Sequence, residues 1–284
     1  RKANYLILDQ INIPSGISVD KSTPPGAWDQ VVRYFGMEAR VSEEPPHAQN
    51  SPSSYQRRLI LALNDKALDS LKPSDHVAIG RRFLVNVTPT VTTQDIEELR
   101  KRGEKELPRE GSVKPFSIMA TQSKGIHRLG ILRMDIDNAG RLFSEGFGNN
   151  ATLSRVASLS FVISLFFEGW VEHLANQRNQ NGRNDPQRGE LLYSIYSGGD
   201  DLFFVGSWDV VVEFALRLRR DLNRFTGGHP DIHPSGGIVL VGGKYPLYQA
   251  AEEAGDAEDE AKRYRWTKNG KEHQKDAVSF LGQP

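Results

Sequence analysis

The sequence predicts an α+β fold of the ferredoxin-like split type, preceded by a β-rich segment. Three observations predict it. Residues 128–241 read, in order, as strand, helix, strand, tight hairpin, strand, helix, strand. The hairpin carries Ser197-Gly-Gly-Asp-Asp201 between two apolar, aromatic runs, the composition of a tight turn between strands. Residues 1–115 read instead as short strands and irregular loops with one polar helix. A chain of 284 residues suits one large or two modest domains. The boundary is placed at 115, with an insert or linker domain over 1–115 and the split α+β domain over 116–284.

In the first part, 5–8, 58–63 and 82–88 are strand-like, and 42–54 is a Pro-, Ser-, Glu- and Asn-rich surface loop. A charged helix is expected over 93–105, then a linker through Pro108, Gly111 and Pro115. In the second part, 128–137 is a strand ending in acids. Residues 153–175 read as a long core helix with Thr152 or Ser154 as N-cap. A polar loop follows over 176–189, then the two strands of the Gly-Gly-Asp-Asp hairpin. Residues 209–225 repeat Val211, Val212, Phe214, Ala215, Leu218 and Leu222 at three- and four-residue spacing and stop at Gly227-Gly228. A strand over 235–241, a helix over about 247–264 and a short strand over 277–280 complete the chain.

Hydrophobic residues make up 38% and charged residues 25%, enough apolar side chains for a core. Lys plus Arg and Asp plus Glu balance at 36 each, so no global basic field advertises nucleic acid. The sequence has no cysteine, which excludes disulfides, thiolate zinc sites and thiol catalysis. No run of 18 apolar residues predicts a membrane span, and a cytoplasmic location is the default expectation. The basic clusters 101–105, 217–220 and 262–265 are interleaved with acids or lie on helix faces, which reads as solvated surface.

In the split arrangement the first and third strands are neighbours at the sheet centre. Asp135, near the end of the first, therefore meets Asp200 and Asp201 at the start of the third. A lone Gly-Gly-Asp-Asp turn is a common solvated hairpin tip; carboxylates converging from adjacent strands are not. Rigid strand-end carboxylates beside open space suit a hard cation such as Mg²⁺ or Mn²⁺ that keeps substrate phosphates in its shell. Gly198 and Gly199 allow a tight turn and a close backbone approach by a nucleotide.

Several stretches carry a resemblance. Met134-Asp-Ile-Asp-Asn138 followed by Ser197-Gly-Gly-Asp-Asp201, with Pro234-Ser-Gly-Gly-Ile238, Lys244-Tyr-Pro246 and Ala257-Glu-Asp-Glu-Ala-Lys262, resembles the GGDD palm of the large subunit of type III CRISPR effector complexes. That family is distantly similar to the GGDEF diguanylate cyclases and polymerase palms. The match covers roughly 115–284 and is closer to the Csm-type than the Cmr-type subunit. The resemblance implies metal-dependent synthesis of cyclic oligoadenylates from ATP. It also implies partners: the other effector subunits, guide RNA and target RNA. Carried over residue by residue, Asp135, Asp200 and Asp201 are the catalytic, metal-binding acids and the carbonyl of Ile136 is a further ligand. Lys262 is a triphosphate contact, Ser197 and Ser235 contact the base beside Gly198 and Gly199, and Asn138 contacts ribose or phosphate.

The family also carries a second, degenerate palm, a cysteine zinc site in the insert of many relatives, a His-Asp nuclease module and a C-terminal helical domain. None of the four is read in this sequence. The chain is therefore expected to be one segment of a larger subunit, weakly active or inactive alone. Two other functions stay open at this level: a diguanylate-cyclase-like enzyme using GTP, and a silent scaffold subunit.

Overall fold

The computed structural model describes residues 3–11, 32–46, 55–63, 65–82, 84–183, 188–268 and 270–284. The chain divides into two compact units, 1–83 and 84–284.

In the first unit, β1 (Tyr5–Gln10) is flanked by antiparallel β2 (Met37–Ser42) and β3 (Arg57–Ala62), and β4 (Val77–Arg81) runs parallel to β3. The short helix α1 (Asp65–Asp69) connects β3 to β4. Tyr5, Ile7, Ile60, Ala62 and Ala67 form a small core. Arg58 bridges to Asp9, its Nη2 2.8 Å from Oδ2, while its guanidinium lies 3.9 Å over the Tyr55 ring. That placement gives a nearly buried cation both a counter-charge and an aromatic face.

Two expectations are corrected here. The strand read over 82–88 lies upstream, as β4. Residues after 84 run without a regular ladder, yet they belong to the second unit. There the Val87 N–H donates to Ser194 Oγ (2.8 Å), the Ser194 N–H returns to the Val87 carbonyl (2.9 Å), and the Thr90 N–H donates to Glu190 Oε2 (2.7 Å). The compact units therefore part at 83/84 rather than at 115, because backbone pairing outweighs the Pro/Gly-rich linker signal over 106–115. Most of the loop read over 42–54 lies outside the described residues.

The second unit is a five-stranded sheet in the order β11–β8–β5–β7–β6, from β5 (Leu129–Ile136), β6 (Leu192–Gly198), β7 (Asp201–Ser207), β8 (Pro234–Val241) and β11 (Val278–Phe280). The first four make the split βαββαβ order, with β5 and β7 adjacent and antiparallel, and β11 adds a parallel edge to β8. β5 is covered on both faces, so it is buried continuously from Leu129 to Leu132 rather than in alternation. Exposure returns only at Arg133 and Asp135. Helix α7 (Trp208–Phe225) packs its Val211, Phe214, Leu218 and Leu222 stripe on one face, with Phe204 and Phe214 rings 4.8 Å apart. Helix α8 (Leu247–Arg263) covers the other face through Ala250, Ala254, Ala257 and Ala261. A small hairpin of β9 (Arg265–Lys268) and β10 (Lys271–Gln274) follows.

Helices α2 (Thr93–Lys101), α3 (Phe116–Thr121) and α4 (Ala139–Glu145) complete the elements ahead of the long crossover. Thr92 caps α2 in a full capping box with Asp95. The crossover helix is longer than the sequence indicates. It consists of α5 (Leu153–Ser164), a π-helical turn Leu165–Trp170, and α6 (Val171–Arg183), which absorbs much of the polar loop read over 176–189. Thr152 is the N-cap, its hydroxyl accepting from the Arg155 N–H.

Within α5 only Ile163 is buried, while Leu153, Phe161 and Val162 are exposed; the core face begins at Phe166. The apolar stripe over 153–162 is thus not core, contrary to its reading as a core helix. By length and composition Leu153–Gly182 is also long and apolar enough to span a membrane. Its Phe166, Phe167, Val171, Leu174 and Ala175 face the protein core instead.

Candidate active site

The Gly-Gly-Asp-Asp turn is a two-residue hairpin between the paired residues Gly198 and Asp201. Gly199, the first residue of the turn, sits at φ +64°, a conformation in which a side chain is strained. The Asp200 carbonyl accepts the Ile136 N–H at 2.9 Å, tying the turn to the end of β5. Register then does the rest. Asp135 pairs directly with Asp201 across β5–β7, and directly opposed antiparallel residues have Cα atoms about 4.5–5.5 Å apart.

The face that carries Asp135 also carries Arg133, two residues earlier, since strand side chains alternate. On β8 the same face presents Gly237. A Cβ there would lie 2.3 Å from both the Ala254 carbonyl oxygen and the Glu258 amide nitrogen. The missing side chain lets α8 lie against the sheet, which brings its last turns to the acids. Lys262 Nζ donates to Asp135 Oδ2 at 2.7 Å and to Glu258 Oε1 at 2.6 Å. Arg133 Nε lies 3.5 Å from Glu258 Oε2. Beside this cluster a cavity of about 210 Å³ is lined by Arg133, Asp135, Tyr196, Asp201, Phe203 and Glu258, among others.

The electrostatics follow from crowding. Burial, with the charges of Glu258 and Asp137, pushes the Asp135 carboxyl up to about 6 even though Lys262 pulls the other way. Burial first, then Asp200 and Glu258, raise Asp201 against the opposing Tyr196 hydroxyl and Arg133. Burial lowers Lys262, but its bonds to Asp135 and Glu258 outweigh that and hold it above the ordinary lysine value. The site is an excess of acid held at close range.

Among the described residues no set of three or more His, Asp and Glu side chains stands in metal-holding geometry. The two acids that the fold opposes nevertheless fit a hard cation. Asp135 Oδ1 is buried without a hydrogen-bond partner among the described residues, an orphaned anionic oxygen directly across the ladder from a second carboxylate. Asp200 joins them through the main chain of the turn.

The other sequence-derived candidates separate. Gly198 ends β6 and Gly199 begins the turn, and Ile136 is buried with its carbonyl in the peptide joining β5 to Asp137. Asn138, in the left-handed region at φ 59°, accepts from Lys275 Nζ at 2.9 Å. The two serine hydroxyls are engaged within the protein. Ser197, 6% exposed, donates its hydroxyl to the Phe167 carbonyl at 2.7 Å. Ser235 is fully buried and donates to Asp137 Oδ2 at 2.7 Å. Both hydroxyls donate within the fold.

Asp137 itself is 2% exposed and gathers Ser235, the His233 Nδ1 position (2.7 Å) and the Asp276 N–H (3.2 Å) on one oxygen. The residues the sequence reading missed are Arg133, Tyr196 and Glu258. Two signals pointed to them: Arg133 stands two residues before Asp135 on a strand, and Glu258 four residues before Lys262 on a helix.

A sequence model of the family described as Cas10/Cmr2, second palm domain, matches residues 128–277. The Cas10/Csm1 single-strand-specific deoxyribonuclease of the subtype III-A CRISPR system of Methanocaldococcus jannaschii is 39% identical over 147 residues, 51% of this chain and 18% of the relative. Its counterpart in Mycobacterium tuberculosis is 41% identical over 155 residues, 52% of this chain and 19% of the relative. The matched stretch thus spans about a fifth of the length of these relatives. In fold, the chain is similar to a Csm1–Csm4 cassette in complex with one ATP, with a TM-score of 0.58 and 24% identity over 80% of this chain and 28% of that one. It is also similar to the cassette in complex with cA4, with a TM-score of 0.57 and 23% identity over 79% of this chain and 29% of that one.

Proposed function

This chain belongs to the Cas10/Cmr2 family through its second palm domain, and we propose that this palm joins ATP molecules into cyclic oligoadenylates within a type III CRISPR effector complex. One observation carries the reading: Asp135 and Asp201 oppose each other across β5–β7, with Lys262 hydrogen-bonded to the first. Solved relatives of the same fold bind ATP and cA4 in company with Csm4, which supports the substrate, the product class and a Csm4-like partner.

In this reading Asp135, Asp200 and Asp201, with the Ile136 carbonyl, hold Mg²⁺ or Mn²⁺. When bound, the ion lowers the pKa of the attacking hydroxyl and neutralises charge on the transferring phosphoryl group. The chain's own contribution is positional. The strand-end acids fix where the reacting phosphate sits, the glycine turn lets the nucleotide approach the backbone, and Lys262 meets the triphosphate. The 3′-oxygen of one ATP bonds to the α-phosphorus of another, and the bond from that phosphorus to the α,β-bridging oxygen breaks. Pyrophosphate leaves with the electron pair, and the hydroxyl proton passes to water. Two nucleotides must be held at once, so the activity belongs to the complete subunit with its guide and target RNA, in the cytoplasm.

The deoxyribonuclease activity in the relatives' names is not assigned to these residues, since none of the seven histidines is followed by Asp. The test is conversion of labelled ATP by the assembled complex carrying Asp200→Ala and Asp201→Ala. Loss of all product supports the reading, and conversion at the wild-type rate overturns it. GTP turnover in place of ATP turnover would favour a diguanylate-cyclase-like reaction instead.

A further inference from the structure

Glu258 is a puzzle on electrostatic grounds. It is 6% exposed, and it stands beside two carboxylates whose proton affinity its charge already raises. A third buried acid makes an acidic centre harder to keep ionised, so its place needs another reason. Its two oxygens supply one. Oε1 accepts from Lys262 Nζ at 2.6 Å, and Oε2 faces Arg133 Nε at 3.5 Å. A single carboxylate therefore links the cation on α8 to the cation on β5.

Arg133 has a prepared seat. A Cβ on Gly255 would lie 2.6 Å from its Nη1, so the guanidinium lies directly against α8 at a position without a side chain. Arg133 is nearly half exposed and lines the cavity together with Asp135 and Asp201. Among the described residues its one long contact, to Glu258, leaves most of its five N–H donors for another anion. Lys262 is shared between Glu258 and Asp135. Once Asp135 turns to a cation, Glu258 alone retains the lysine near the acids, with donors left over.

We infer that Glu258 is a positioning residue that holds Arg133 and Lys262 as a two-cation clamp, and that Arg133 contacts the β- and γ-phosphates of the ATP bound at the acidic pair. The inference rests on the nucleotidyl-transfer reading above and deepens it. Fork-shaped guanidinium and point-charge ammonium donors together suit a polyphosphate tail. They add nothing for a nucleotide that lacks one.

The experiment uses the full-length subunit in its complex, activated by target RNA with Mg²⁺ present. It measures the KM and kcat for ATP and the inhibition constant of AMP. Glu258→Gln keeps the side chain's shape and removes its charge; Arg133→Gln alters a half-exposed residue and covers the case in which the first variant fails to fold. Each is expected to raise the KM for ATP roughly tenfold, the equivalent of one charge-assisted hydrogen bond. The kcat should stay within about threefold and the AMP inhibition constant within about twofold. An unchanged KM, or an AMP constant rising in step with it, overturns the inference. The parent reading fails separately, if Asp200→Ala with Asp201→Ala leaves turnover intact.

Discussion

Asp135 and Asp201 are directly paired residues of two antiparallel strands, 66 positions apart in sequence and opposed in the ladder. Like charges in that relation destabilise a sheet unless something stands between them. Asp201→Asn should therefore leave the metal-free protein as stable or slightly more so, by no more than about 1 kcal/mol because the pair is partly open to water. The same change should abolish ATP conversion. Urea unfolding and turnover assays, run side by side, check the opposite signs; a clear loss of stability would show that the pair is not under strain.

Gly237 sets the distance between helix and sheet. Its alanine variant places a methyl carbon 2.3 Å from two backbone atoms of α8, so the helix must shift. The expected cost is about 1–3 kcal/mol, typical of overpacking. A shift of about 1 Å at Lys262 and Glu258 should lower turnover by about a hundredfold. Thermal melting with ATP conversion measures both, and activity at the wild-type level would mean that α8 does not position the site.

Lys114 is fully buried and bridges to Asp95 at 3.0 Å, where Gln122 also donates at 2.7 Å. Burial raises the Asp95 carboxyl, but the Thr92 amide and Lys114 outweigh it and hold it below the usual carboxylate value. A lowered folded-state value means stability that is complete above the unfolded pKa of about 3.9 and is lost as pH falls through the folded value. Lys114→Met should cost about 3–5 kcal/mol at neutral pH by stranding Asp95. Urea midpoints from pH 7 down to pH 2.5 check the sign. The wild type should lose stability faster than the double variant Asp95→Asn, Lys114→Met below about pH 4.

Ser235 was expected to meet a base and instead donates to Asp137 from full burial. Its alanine variant should cost about 1–2 kcal/mol, the loss of one hydrogen bond to a buried carboxylate. The KM for ATP should be unaltered. A raised KM at unchanged melting temperature would return the hydroxyl to the nucleotide.

Much of this site was legible before any coordinates. Two apolar runs around Ser197-Gly-Gly-Asp-Asp201 announce a hairpin because strand alternation and turn chemistry are local properties. The order of strands and helices after residue 128 then implies which strands are neighbours, and so that Asp135 meets Asp201. The apolar residues over 153–162 misled for the converse reason. Periodicity reports that a face is apolar, and only packing decides whether anything covers it. The internal bonds of Ser197 and Ser235 were not legible, because a hydroxyl beside a functional turn looks the same in sequence whether it points out or in.

The sequence alone determined the split α+β order and the turn, since strand and helix patterns and turn chemistry are local, and from that order it implied that Asp135 meets Asp201. Tertiary structure decided the company those acids keep. Glu258 and Lys262 reach them because β8 has a glycine where α8 lies. Such close approaches depend on two distant backbones meeting, and no local pattern of side chains encodes that meeting.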